Sequence, residues 1–230
     1  MTNRSLGSKA GGHQYPEKDM LVDDYHLKAD AQIDKAPQYF VSSKALAARI
    51  GIANGEQAIA QAAVDKYQAL VQGVHQETGE ELTGNTQKQR TDRKKGHEFQ
   101  LAPSKDLSML AAFAATELRE KILALREQGV QAAMQELASH ARCRITVKGQ
   151  VRYEAVDVAM LRCNHGSTRA TVKDGEITDP SQPHLHDHFV VLNLGLDKDG
   201  NMRSVDYGAM MEHSRAISEA YNNTLASTDH

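Results

Sequence analysis

Apolar and polar positions follow two different rhythms along this chain, and the change of rhythm divides it. From Ser42, the residues Ala45, Leu46, Arg49 and Ile50 recur at helical spacing, and Gly51 offers a stop, which predicts a first helix. Asn54 stands where it would cap a second helix with the apolar face Ile59, Ala62, Ala63, Tyr67, Leu70 and Val71. The stretch "HQETGEELTGNTQKQRTDRKKGH" has no periodic apolar residues and reads as a loop. "HEFQLA" alternates and predicts a short strand. Pro103-Ser104 then opens the longest helical stretch. Leu107, Leu110, Ala111, Ala114, Leu118, Ile122 and Leu125 form one face, continued by Val130, Met134 and Leu137, with Gly129 marking a bend or break.

After Arg142 the period falls to two. "CRITV", Lys148-Gly149 and "QVRYEAVDVAML" read as a hairpin, and "ATV-KDG-EIT" as a second one around Asp174-Gly175. A strand over 186–194, the turn "DKDG" and a closing helix over 206–226 complete the chain. Helices come first and strands second, which predicts an α+β fold: a palm-like antiparallel sheet with helices packed on it. Residues 1–20 are polar, with Gly11-Gly12, and read as a flexible N-terminus preceding a single domain over 21–230.

Composition narrows the function classes. The formal net charge is -3, so any nucleic-acid site must be a local patch, and the cluster Lys88, Arg90, Arg93, Lys94 and Lys95 is the candidate. No apolar run approaches the ~20 residues that cross a bilayer. The polar start lacks a signal-peptide core, and the two cysteines, Cys143 and Cys163, have no metal-like or redox-like spacing. A cytoplasmic protein with reduced thiols is the expectation.

The chemistry concentrates in "ITDPSQPHLHDHFVVLNLG", where His184, His186 and His188 run straight into an apolar strand. Side chains two apart on a strand share a face at ~6.7 Å, within reach of one metal, whereas four apart they are ~13 Å distant. His184 and His188 therefore cannot share an ion on a straight strand. His186 and His188 share their face with Val190, Leu192 and Leu194, which makes them the better pair. The candidate third ligand is His165, on the face of Leu161 and Cys163 in a strand that returns to the first through a hairpin. Three imidazoles without a thiolate leave coordination positions open, as a working site does. Asp179 and Asp187 stand close by in sequence.

This pattern resembles conjugative relaxases of the MobF class, which are three-histidine endonucleases of the HUH type. The family segment D/E-P-Q-L-H-T-H corresponds to "DPSQPHLHDH" with a two-residue insertion, and H-x-T-S-R to His165-Gly166-Ser167-Thr168-Arg169. The family stretch G-Y-D-L-T-F-S-A-P-K-S-V-S matches "GHEFQLAPSKDLS" at Gly96, Lys105 and Ser108, with Glu98 in place of the aspartate. "DDYHLK" around Tyr25 and "AYNNTLA" near the end also match in position.

The resemblance implies a metal-dependent nickase and strand transferase. A tyrosine would attack a phosphodiester of single-stranded DNA at a transfer origin and form a 5′-phosphotyrosine. His165, His186 and His188 would hold a divalent cation, with Mg²⁺ or Mn²⁺ foremost and Zn²⁺ a further candidate. Glu98 would orient one ligand, while Lys105, Arg169 and the basic cluster would contact DNA. Relaxosome accessory proteins and a coupling ATPase would be partners. The tyrosine pairs of the family are degenerate here. Tyr15 matches the second member of the first pair, with Gln14 before it, and Tyr25 falls in the second pair, with His26 after it. Both tyrosines stand as candidate nucleophiles, and the expected domain ends short of the family's C-terminal portion. Two other readings stay open: a relaxase-like DNA-binding module without nicking, and an unrelated hydrolase with a His-x-His site.

Overall fold

A computed structural model describes residues 1–6, 36–83, 94–168, 170–173 and 176–226. Its main sheet is antiparallel, in the order β1 (Thr2–Leu6), β3 (Gly96–Leu101), β9 (Pro183–Leu196), β6 (Asp157–Ser167), β2 (Gln38–Val41), with β10 (Met202–Arg203) also paired to β9. The strands β4 (Arg142–Val147) and β5 (Gln150–Ala155) form the predicted hairpin, joined by β11 (Val205–Asp206) in a smaller sheet. The second predicted hairpin is β7 (Thr171–Lys173) with β8 (Glu176–Asp179), inserted between the two central strands.

Each face of the main sheet carries its own core. On one side α1 (Lys44–Ile50) and α2 (Ala60–Gln72) bury Leu46, Ile50, Tyr67 and Leu70 against Leu161, Val190, Leu192 and Leu194. On the other lie α4 (Thr116–Ser139) and α6 (Ser214–Ala226), whose Val130, Met134, Leu137, Ile217 and Tyr221 pack on Phe99, Met160, Phe189 and Val191. The helix α3 (Lys105–Phe113) closes the end of this side over Leu185, and the short α5 (Gly208–Glu212) leads into α6. Covered on both faces, β6 and β9 alternate between two apolar cores, which is why their sequences read as nearly continuous apolar runs.

Several local expectations change. Ser43 caps α1 by accepting from the Leu46 amide, and Gly51 ends it with a left-handed φ of 69°. Asn54 does not cap α2, which begins at Ala60 without a side-chain cap; its Oδ1 accepts instead from the Val41 amide, 3.0 Å away. The long helical stretch is two helices, parted at Ala114–Ala115, while α4 runs through Gly129 without a break. A Cβ at Gly129 would lie 3.0 Å from the Tyr221 carbonyl oxygen, so this glycine lets α6 approach. "QVRYEAVDVAML" splits at Val156, so that β5 stays in the small sheet and β6 enters the main one. Residues 2–6, read as flexible because polar, form edge strand β1, since an edge position can be held by main-chain hydrogen bonds alone.

Candidate metal centre

The central pairing of β6 with β9 builds the site. His165 lies directly opposite His186, and Cys163 opposite His188, so the three histidines project from neighbouring positions on one face. Their ligand atoms all lie within 4.8 Å of one another, and all three residues are buried. The ring centroids are 5.0 Å apart for His165–His186 and His186–His188, and 5.4 Å for His165–His188. The register shifts just beyond the His165–His186 pair, and His184 sits past that irregularity. His184 is outside the ligand group; its ring stacks on His186 at 4.9 Å.

The surrounding hydrogen bonds choose which nitrogens are offered. The His188 Nδ1 lies 2.6 Å from Glu98 Oε1, where β3 lines up against β9. The His186 Nδ1 lies 2.9 Å from the His184 carbonyl oxygen, which accepts its hydrogen. With Nδ1–H committed to an oxygen, Nε2 is the nitrogen each of these two rings would offer to a metal. Burial chiefly, with the neighbouring histidines adding, pushes the His186 pKa down to about 4, although its bond to the His184 carbonyl works the other way. A neutral imidazole is the form that ligates. The donor set therefore fits a divalent ion with three nitrogen ligands and open positions.

Behind the ligands lies a group that sequence reading missed. Asp187 points to the opposite face and is fully buried. Its Oδ2 accepts from Arg126 Nη2 at 2.7 Å and Nε at 3.1 Å, and its Oδ1 from Arg162 Nε at 2.9 Å. Burial favours the protonated acid, but the two guanidiniums outweigh it and hold the Asp187 pKa below the usual carboxylate range. Arg126 Nη2 also donates to the His186 carbonyl at 2.9 Å, and Arg162 Nη1 reaches both oxygens of Glu127 at 2.8 Å. The signal was present: Arg126 is a lone charge in the stripe Ile122, Val130, Ala133, and Arg162 interrupts an apolar strand. Asp187 thus stands near the histidines in sequence but faces away from the metal side, and Asp179 is exposed on β8.

Glu98 and the three histidines are brought together, whereas the described basic residues Lys94, Lys95 and Lys105 do not form one patch. Lys94 and Lys95 precede β3 at the end that pairs with Leu192, and Gln100, the partner of His188, lies five positions after Lys95. At ~3.4 Å per residue that is about 17 Å from the histidine end. Lys105, exposed at the start of α3, donates to the Pro183 carbonyl at 2.7 Å and reaches Gln182 Oε1 at 3.4 Å. It therefore anchors the start of β9. Tyr15, Tyr25, Lys88, Arg90, Arg93 and Arg169 lie outside the described residues.

An antiparallel sheet whose two central strands deliver three imidazoles, one backed by a carboxylate, defines a sheet-borne metal centre with open coordination positions. The family model of the TrwC relaxase matches residues 9–228, and the chain belongs to the TrwC relaxase family. No curated protein matches it. Among solved structures, the conjugative relaxase TrwC in complex with oriT DNA is similar in three forms. The metal-free form has 17% identity and a TM-score of 0.66, the metal-bound form 17% and 0.68, and the copper-bound form 20% and 0.68. The alignments cover 98% of this chain and 67%, 68% and 68% of those chains, respectively. At this identity the likeness is one of fold. Among the described residues, no helix is long and apolar enough to cross a membrane.

Proposed function

We propose that this relaxase cleaves single-stranded DNA at a transfer origin by metal-assisted attack of a tyrosine on one phosphodiester. The observation that carries the reading is the convergence of His165, His186 and His188, with Glu98 on His188. When bound, a divalent cation supplies polarisation of the scissile phosphate and neutralises developing charge. The chain's own contribution is a preset ligand cluster: three buried imidazoles, with the Nδ1 of His186 and that of His188 each tied to an oxygen. A phenol with pKa ~10 is a weak nucleophile until its proton is removed. The Tyr15 oxygen, or that of Tyr25, would form the new O–P bond as the 3′ oxygen leaves and takes up a proton. The product is a 5′-phosphotyrosine and a free 3′ hydroxyl. Glu98 positions His188 and does not meet the DNA in this reading.

The basic residues Lys88, Arg90, Arg93, Lys94, Lys95, Lys105 and Arg169 would contact the DNA backbone. Mg²⁺ or Mn²⁺ is the proposed ion, the cytoplasm the proposed location, and accessory relaxosome proteins and a coupling ATPase the proposed partners. The proposed organisation is one relaxase domain, with β1 (Thr2–Leu6) in its main sheet in place of a start at residue 21. A second reading, DNA binding without nicking, draws on Gln14 and His26 at the places where the family pattern has tyrosines.

One experiment separates them. End-labelled single-stranded oligonucleotides tiled across the transfer origin of the encoding replicon are incubated with the protein and Mn²⁺. A covalent adduct lost on Tyr15→Phe or Tyr25→Phe supports strand transfer. Salt-sensitive binding with no adduct supports the second reading, and absence of binding at low salt removes both.

A further inference from the structure

We propose that Asp187, Arg126 and Arg162 are positioning residues that set the geometry of the metal ligands from the reverse side of the sheet. The inference rests on the three-histidine reading and goes beyond it. Asp187 sits between His186 and His188, so its backbone is shared with both ligands while its side chain faces the other core. One guanidinium, Arg126, holds both the Asp187 carboxylate and the His186 carbonyl, at 2.7 and 2.9 Å. Any rotation of the His186 peptide breaks one of these bonds. The other guanidinium, Arg162, lies on β6 three residues before His165 and binds the second oxygen of the same carboxylate. One buried carboxylate thus ties the strand bearing two ligands to the strand bearing the third, and both to α4. The family pattern has threonine between its last two histidines, a side chain with no carboxylate to receive two guanidiniums.

The group is also balanced in charge. Two guanidiniums face the carboxylates of Asp187 and Glu127, and the side chains of Arg126, Arg162 and Asp187 are 4%, 8% and 0% exposed. Neutralising Asp187 would leave one excess positive charge beside the site, which disfavours a cation there. Removing the clamp therefore acts on the metal twice, through ligand aim and through field.

The test measures Mn²⁺ affinity by calorimetry and Cu²⁺ coordination by electron paramagnetic resonance. It compares the wild type, Asp187→Asn, Arg126→Lys and the control Ile217→Ala. Ile217 is buried in the same core but touches no ligand strand by hydrogen bond, so its loss reports stability alone. Outer partners of metal ligands typically contribute 10- to 100-fold in affinity. We expect a loss of that order in Asp187→Asn with an altered Cu²⁺ spectrum, a smaller loss in Arg126→Lys, and wild-type affinity in the control. Arg126→Lys keeps the charge but replaces the planar fork, and it decides the question where Asp187→Asn is not folded by circular dichroism. Wild-type affinity and spectrum in a folded Asp187→Asn or Arg126→Lys would overturn the proposal. Equal losses in the control would do the same. Failure of the wild type itself to bind either ion would instead remove the three-histidine reading.

Discussion

The Nδ1 of His188 and the Oε1 of Glu98 lie 2.6 Å apart, across the pairing of β9 with β3. The contact joins a candidate ligand to a carboxylate 90 residues earlier in the chain. It fixes the ring's orientation and leaves Nε2 for the ion. Glu98→Gln keeps the size and one acceptor but loses the charge. The expected result is a 10- to 100-fold weaker Mn²⁺ affinity with the fold intact, read by calorimetry and circular dichroism. Unchanged affinity would show that the contact is structural only.

The ligand roles separate cleanly between neighbours on one strand. His165→Ala, His186→Ala and His188→Ala should each abolish stoichiometric Mn²⁺ binding. His184→Ala should retain it, because His184 is outside the ligand group and the hydrogen bond it gives His186 comes from its main-chain oxygen, which alanine keeps. Loss of binding in His184→Ala, or its survival in His165→Ala, would mean that a different set of nitrogens holds the ion.

Acid should weaken the metal-free fold in a defined window. Burial foremost, with Lys94 adding and Glu98 opposing, pushes the His97 pKa down to about 4, while its ring stacks on Tyr207 at 5.2 Å. His186 also falls to about 4. Between these values and the ordinary histidine value of 6.5, the unfolded chain binds protons that the folded one does not. The part of the stability carried by these two groups therefore rises with pH through this window, falls as pH drops from 6.5 and reaches its floor below 4, at roughly 1.4 kcal/mol per pH unit for each group. Urea midpoints across this range test the sign. His97→Phe should flatten the slope, and a slope as steep as the wild type's would acquit His97.

Gly129 should resist enlargement. Gly129→Val places side-chain atoms against the Tyr221 carbonyl and ring, which a Cβ built at this position already meets at 3.0 and 3.1 Å. Overpacking of this kind costs about 1–3 kcal/mol and outweighs any gain from removing a helix glycine. The measurement is thermal unfolding. A midpoint equal to or above the wild type's would show that α6 moves aside freely.

The metal face was legible because it obeys a local rule. His186 and His188 follow from the two-residue period of a strand, and His165 from the return of the chain through a hairpin. Glu98 needed the family resemblance, since its contact spans distant strands. Other features obey no local rule. Nothing between Ala114 and Ala115 signals a helix break by glycine or proline, so packing of α3 over Leu185 and of α4 along the sheet decides it. Asn54 has the chemistry of a cap but finds the Val41 amide. The polar β1 carries no apolar alternation because its pairing at the sheet edge is a matter of backbone. The arginines were visible as charges among apolar neighbours, yet their shared partner Asp187 emerges only once α4 and β6 are laid against β9.

Along β9 the imidazoles and the carboxylate alternate, so the strand carries two incompatible chemistries on its two sides. A slip of one residue in its pairing would exchange them. Histidines would meet the guanidiniums of Arg126 and Arg162, and a lone carboxylate would face the ligand side. Ordinary strands resist such a slip only by the difference between apolar and polar sides. Here the misaligned strand would also lose its ion pairs, leaving Arg126 buried without its carboxylate and Arg162 with Glu127 alone. In "HLHDH" a pairing out of frame therefore carries an electrostatic penalty on top of the hydrophobic one.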